Sequence, residues 1–230
     1  KIVKEMTLHF PPVEFQPFLT EIAALKPDAV YVFFAGAGAA KFVTAVVMDP
    51  DWSEPRPLSP DEQRHMTEMF GILDDICAEH GLEQVLHSHV MTLVETADDV
   101  NRVLDTCDVH WCLDTGHLAI GGVDPVAFAK ESIDRVGHVH LKDVRLDMVP
   151  PVMRREITLM QATQSGLFTP LGQGDVDIAG VIQTLESEGY QGWYVIEQDT
   201  AITDGLPAEG EGPIGQVRTS LDYLRDIVAP

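Results

Sequence analysis

The chain predicts an α/β fold: a parallel sheet of βα repeats, partial or rearranged relative to a TIM barrel, with six or seven strands. Three observations point there. Strand-like apolar runs alternate with amphipathic stretches of helical period nearly from end to end. Four of those runs finish in imidazoles and carboxylates, the groups that α/β sheets collect at the carboxyl ends of their strands. The length of 230 residues and hydrophobic content of 45% suffice for one sizeable core, so residues 1–230 read as a single domain.

In chain order, strands fall near residues 2–9, 29–35, 84–90, 109–114, 136–141 and 193–198. Helices fit between them over Phe15–Leu25, Pro60–His80, Thr96–Leu104, Asp124–Glu131, Ile178–Glu188 and Ile214–Ile227. Asp124 followed by Pro125 is a helix start, because the carboxylate can cap and proline suits the first turn. Gly81 after His80 is a helix stop. The segment "GAGAAKFVTAVVMDP", residues 36–50, fits a helix over 39–46 or a strand over 42–48, and short apolar runs do not separate the two. The loops at 49–60 and 203–215 are rich in Pro, Gly and acids.

Fifteen basic against 37 acidic residues give a net charge of −22, which repels nucleic acid and anionic membranes. Cys77, Cys107 and Cys112 have no zinc-like or redox spacing and read as reduced, buried thiols of a cytoplasmic protein. No apolar stretch approaches 18 residues and no signal peptide opens the chain. The absence of an initiating Met points to residues missing before Lys1.

The chemistry-bearing groups lie in four motifs. "QVLHSHVM" supplies His87 and His89 on one strand face, and "HWCLDTGH" supplies Asp114 and His117. "GHVHLKDV" supplies His138, His140, Lys142 and Asp143, and "WYVIEQD" supplies Glu197 and Asp199. A lone strand-end His or Asp reads as a cap or a hydrogen-bonded core group. Four strands ending alike favour a divalent-metal or catalytic site, since buried ionisable groups are costly without partners. Imidazoles with carboxylates suit Mn, Fe, Co or Zn; carboxylates alone would favour Mg or Ca. His138 reads as a core-facing neighbour of His140, and His65, His80 and His110 as helix-surface, helix-end and strand-start residues. "GAGAA", residues 36–40, lacks the full glycine fingerprint and following lysine of a phosphate cradle.

From about Phe42 onward, "HSHVMTLVETADDVNRVL", "CLDTGHLAIGGVDP", "DRVGHVHLKDVR" and "GLFTPLGQGDVDIAGVIQTLESEGYQGWYVIEQD" resemble, in this order, the xylose-isomerase-like TIM-barrel superfamily, with its 2-keto-myo-inositol dehydratase branch nearest. The resemblance implies one divalent ion (Mn, Co, Zn or Mg) at the barrel mouth and a small polyol or keto-sugar as partner. It implies Asp114, His140 and Glu197 as ligands, with Glu197 doubling as acid or base, and His87 or His117 would complete the shell. His117 is placed beside metal or substrate and His89 toward substrate, and Lys142 and Asp143 read as groups for substrate hydroxyls or proton relay. Many relatives carry glutamate where this chain has His87, and that departure speaks against simple epimerase chemistry.

Residues 1–43, with "FQPFLTEIAALKPDAVYVF", resemble a βαβα fragment of a type I periplasmic substrate-binding protein, which is flavodoxin-like. The two resemblances meet near 36–43 without a linker, and the strands fall short of the eight of a closed barrel. The chain therefore reads as a hybrid, engineered or recombined, of a binding-protein-like piece (1–43) and a barrel-derived piece (44–230). Such a hybrid would retain a metal site with impaired activity. The alternative is a natural metal-dependent dehydratase or isomerase with a trimmed beginning. Two further readings stand beside these: a scaffold that catalyses nothing, and a small-molecule binding module. An unclosed sheet exposes edges, so a homodimer is expected.

Overall fold

The computed structural model of the protein describes residues 41–44, 57–203, 205, 207, 208 and 210–228. The strands expected at 2–9 and 29–35, the helix at 15–25 and the binding-protein-like piece as far as residue 40 lie outside the described residues. Five strands, β1 (Lys41–Thr44), β2 (Glu83–His87), β3 (His110–Asp114), β4 (Val136–Leu141) and β7 (Tyr194–Ile196), form one parallel sheet in the order β1-β2-β3-β4-β7. A short antiparallel pair, β5 (Asp143–Val144) with β6 (Phe168–Thr169), follows β4. Among the described residues the sheet is open, with β1 and β7 at its edges. The ambiguous segment is strand where it is described, at Lys41–Thr44.

The helices are α1 (Pro60–Glu79), α2 (Ala97–Thr106), α3 (Thr115–Ile120), α4 (Pro125–Glu131), α5 (Val149–Met153), α6 (Leu159–Gln164), α7 (Ile178–Ser187) and α8 (Ile214–Val228). Their starts follow from capping chemistry. Ser59 and Glu62 close a capping box around α1 with Pro60 in its first turn, Thr96 and Asp99 do the same for α2, and the Asp124 carboxylate takes two N–H groups of α4. Gly81 stops the chain after α1 at φ +68°, a conformation glycine adopts without steric cost. The end of α2 is held by Arg135, which donates to the carbonyl oxygens of Leu104, Cys107 and Val109 at 3.1, 2.7 and 2.9 Å. None of the described helices is long and apolar enough to cross a membrane.

Register divides the sheet into two faces, because paired residues of neighbouring strands point the same way. Leu86 with Trp111, and Leu113 with Val139, share the face that the helices cover. There Trp111 meets Phe128 of α4 edge-to-face at 5.4 Å, and Phe70, Val100, Val103, Val181 and Leu185 complete one continuous core. His87, Cys112 and His138 share the opposite face, as do Asp114 and His140. The sheet thus spends one face on apolar burial and gathers its imidazoles on the other.

Candidate metal centre

β3 ends in Asp114 because that carboxylate starts the next helix. Its Oδ1 accepts the His117 N–H at 2.8 Å, capping α3, a short helix that apolar periodicity did not reveal. Its Oδ2 lies 3.1 Å from His87 Nε2 and 3.5 Å from both His140 Nδ1 and Lys142 Nζ. The residue is fully buried. Burial opposes its ionisation, but the Lys142 charge, the His117 ring, the nearby His140 ring and the His87 hydrogen bond hold it well below the usual carboxylate range.

His140 Nδ1 is 3.1 Å from Glu197 Oε1, yet it is buried and makes no hydrogen bond of acceptable geometry. A ring nitrogen wedged between two carboxylate oxygens without a directional bond to either is placed as a metal ligand is placed. Asp114, His140 and Glu197 each offer one ligand atom, all within 4.8 Å of one another. The imidazole–carboxylate set fits a borderline divalent ion. Burial works against the charge on His140, but Asp114, the Cys112 thiol and Glu197 push its pKa up to about 12. Against the same penalty, the adjacent His140 ring and the Lys142 charge bring Glu197 down to about 2. Two further ligand sets overlap this one, His87–Asp114–His117 and His87–Cys112–His140.

Lys142, only 2% exposed, sits behind the centre. Its Nζ donates to His117 Nε2 at 2.9 Å and pairs with Glu197 Oε2 at 2.8 Å and Asp199 Oδ2 at 3.1 Å. The other ring nitrogen, Nδ1, lies 3.5 Å from the Val90 N–H, so both nitrogens of the His117 ring face donors. The His89 ring lies against the His117 ring with centroids 3.7 Å apart, and its Nδ1–H donates to the Val90 carbonyl at 2.6 Å, leaving Nε2 as the proton-accepting atom. Burial, with the neighbouring His87 and Lys142, lowers the His89 pKa to about 4, and burial with Lys142 holds His117 well below its ordinary value.

The expected residues His87, His89, Asp114, His117, His140, Lys142 and Glu197 therefore converge. Asp143 does not join them. Its carboxylate turns away into the loop before α7 and accepts the N–H groups of Val144, Gly172, Gly174 and Val176 at 2.9, 2.9, 2.9 and 3.1 Å, so both oxygens serve the backbone rather than a substrate hydroxyl. His138 lies beside His140 with centroids 5.1 Å apart, and His110 pairs with Glu83 at 2.7 Å. Two contributors escaped sequence reasoning. Cys112 brings its Sγ within 4.8 Å of a His140 ring nitrogen, and its two-residue spacing from Asp114 on a strand was the signal available. Thr115 donates to the Lys142 carbonyl at 2.7 Å and accepts the Lys142 N–H at 2.8 Å.

Parallel βα repeats with imidazoles and carboxylates gathered at the strand ends define an α/β protein of the barrel class carrying a metal-ligand cluster. The chain belongs to the xylose isomerase-like TIM barrel family, whose profile matches residues 23–227. It is similar to the inosose dehydratase of Geobacillus thermodenitrificans (strain NG80-2), with 37% identity over 137 residues, 57% of this chain and 46% of the relative. The chain spans about half the length of the curated relatives it matches. In fold it is similar to the probable 3-DHS dehydratase AsbF from Bacillus anthracis, with a TM-score of 0.59 and 16% identity over 96% of this chain and 73% of that one. It is also similar to the IolI protein solved with bound zinc, with a TM-score of 0.54 and 17% identity over 82% and 62% of the two chains. The family match crosses residues 36–43 without interruption, so the join expected there receives no support.

Proposed function

We propose that the chain carries a divalent-metal site of inosose dehydratase type, which removes water from a keto-inositol or a related keto-sugar. The observation that carries this reading is His140 Nδ1, buried, unbonded and facing both Glu197 Oε1 and Asp114 Oδ2. Likeness to inosose dehydratases supports the substrate class, and the uninterrupted family match favours a natural enzyme over an engineered hybrid.

Asp114, His140 and Glu197 are the ligands, with His87 beside Asp114 Oδ2 as the fourth. Asp114 can offer only Oδ2, since Oδ1 caps α3. When bound, the ion supplies Lewis-acid polarisation of a carbonyl, which acidifies the adjoining C–H. In this reading Glu197 is a ligand that doubles as acid or base, and the His89–His117 ring pair flanks the substrate. The Val90 carbonyl fixes the His89 tautomer so that Nε2 can accept a proton or a hydroxyl hydrogen.

The test is calorimetric titration of chelator-treated protein with Mn or Co, followed by turnover of 2-keto-myo-inositol. Wild-type protein should bind one ion, and His140→Ala should bind it at least about ten-fold more weakly. Failure of the wild type to bind either ion refutes the reading. A bound ion without turnover makes the site a silent inheritance.

A further inference from the structure

We infer that Lys142 is a positioning residue, gripped along its length by three consecutive residues of α3, whose ammonium decides how Glu197 and His117 face the metal centre. The inference rests on the reading of Asp114, His140 and Glu197 as ligands.

The grip runs from backbone to tip. Thr115 holds the Lys142 main chain, accepting its N–H at 2.8 Å and donating to its carbonyl at 2.7 Å. Gly116 makes room for the stem. A Cβ built at Gly116 would lie 2.6 Å from Lys142 Cγ, 2.9 Å from Cδ and 3.0 Å from Cβ, closer than carbon atoms pack. Gly116 has no left-handed backbone, so the turn into α3 does not demand glycine; the lysine stem does. His117 takes the ammonium on Nε2 at 2.9 Å.

The tip has no freedom left. An ammonium carries three N–H donors, and His117 Nε2, Glu197 Oε2 and Asp199 Oδ2 lie within 3.1 Å of it. None remains for a substrate hydroxyl, which removes Lys142 from the proton-relay role its motif suggested. Its work is indirect. By taking Oε2 of Glu197 it leaves Oε1 toward His140, and by holding Nε2 of His117 it sets how that ring faces the cluster. Groups behind a ligand that fix its orientation contribute about 10–100-fold to metal affinity.

The experiment compares the full chain with Lys142→Met, which keeps the stem and removes the charge, and Gly116→Ala, which keeps the charge and displaces the stem. Co(II) affinity by calorimetry, the visible spectrum of the Co(II)-loaded protein and the imidazole 15N shifts of His117 are read for each. Both variants should bind Co(II) about 10–100-fold more weakly than wild type. Both should also alter the Co(II) spectrum and shift the imidazole 15N resonances of His117. Affinity, spectrum and His117 15N shifts all unchanged in either folded variant overturn the inference. If Lys142→Met fails to fold, Gly116→Ala decides. If wild type binds no Co(II), the proposed function falls, while the His117 15N shifts of the variants still test the hold of Lys142.

Discussion

Replacing Asp143 by Ala separates a structural carboxylate from a substrate-binding one. The substitution removes the acceptor of four N–H groups, those of Val144, Gly172, Gly174 and Val176. Gly172 is exposed and Gly174 half-buried, so water can satisfy both once the carboxylate is gone. Val144 and Val176 are buried and have no such recourse. An unsatisfied buried donor costs about 1–3 kcal/mol, so the two set a loss of about 2–6 kcal/mol. Urea unfolding followed by far-UV circular dichroism measures it as a fall in the midpoint at unchanged slope. Asp143→Asn, which keeps one acceptor oxygen, should fall between the two. A loss under about 1 kcal/mol for Asp143→Ala, with a raised KM for the keto-sugar, would refute the reasoning and return Asp143 to the substrate.

The metal-free protein should be most stable near pH 6.5. His140, raised to about 12, binds its proton more tightly when folded, so its contribution is complete below 6.5 and drains away as pH climbs toward 12. His89, lowered to about 4, and Glu197, lowered to about 2, act in the opposite sense. The unfolded chain takes up those protons first, so stability is lost as pH falls from 6.5 through 4 and on toward 2. Unfolding midpoints at pH 5, 6.5 and 8.5 check this, and a steady rise to 8.5 would contradict it. In the core, Trp111→Ala removes a fully buried ring and its contact with Phe128, and should cost about 3–5 kcal/mol in the same urea assay.

The sequence showed the repeats and the site's membership more clearly than the site's wiring. Strand-end positions such as Asp114, His140 and Glu197 were legible because alternation along a strand fixes which residues share a face, and parallel pairing then brings those faces together. The helix over Thr115–Ile120 was not legible, since six residues are too few to show a period. Asp143 was misplaced for a related reason. It directly follows Lys142 on a chain changing direction, and only the return of residues 172–176 reveals where its carboxylate goes. Gly116 looked like a turn residue because the lysine that crosses it is 26 positions away. Strand β2 was expected to 90 but ends at His87, after which residues 88–95 fold back, with the His89 N–H donating to the Val94 carbonyl.

The double duty of Asp114 bears on how such sequences should be read. One oxygen begins α3 and the other faces the ligand cluster, so a lineage that lost its catalysis would still pay in stability for losing this aspartate. Its survival in a descendant would testify to a helix as much as to an enzyme. His140 Nδ1 makes no hydrogen bond within the fold. Asp114 and His140 retained together, rather than Asp114 alone, would therefore mark a working member of such a lineage.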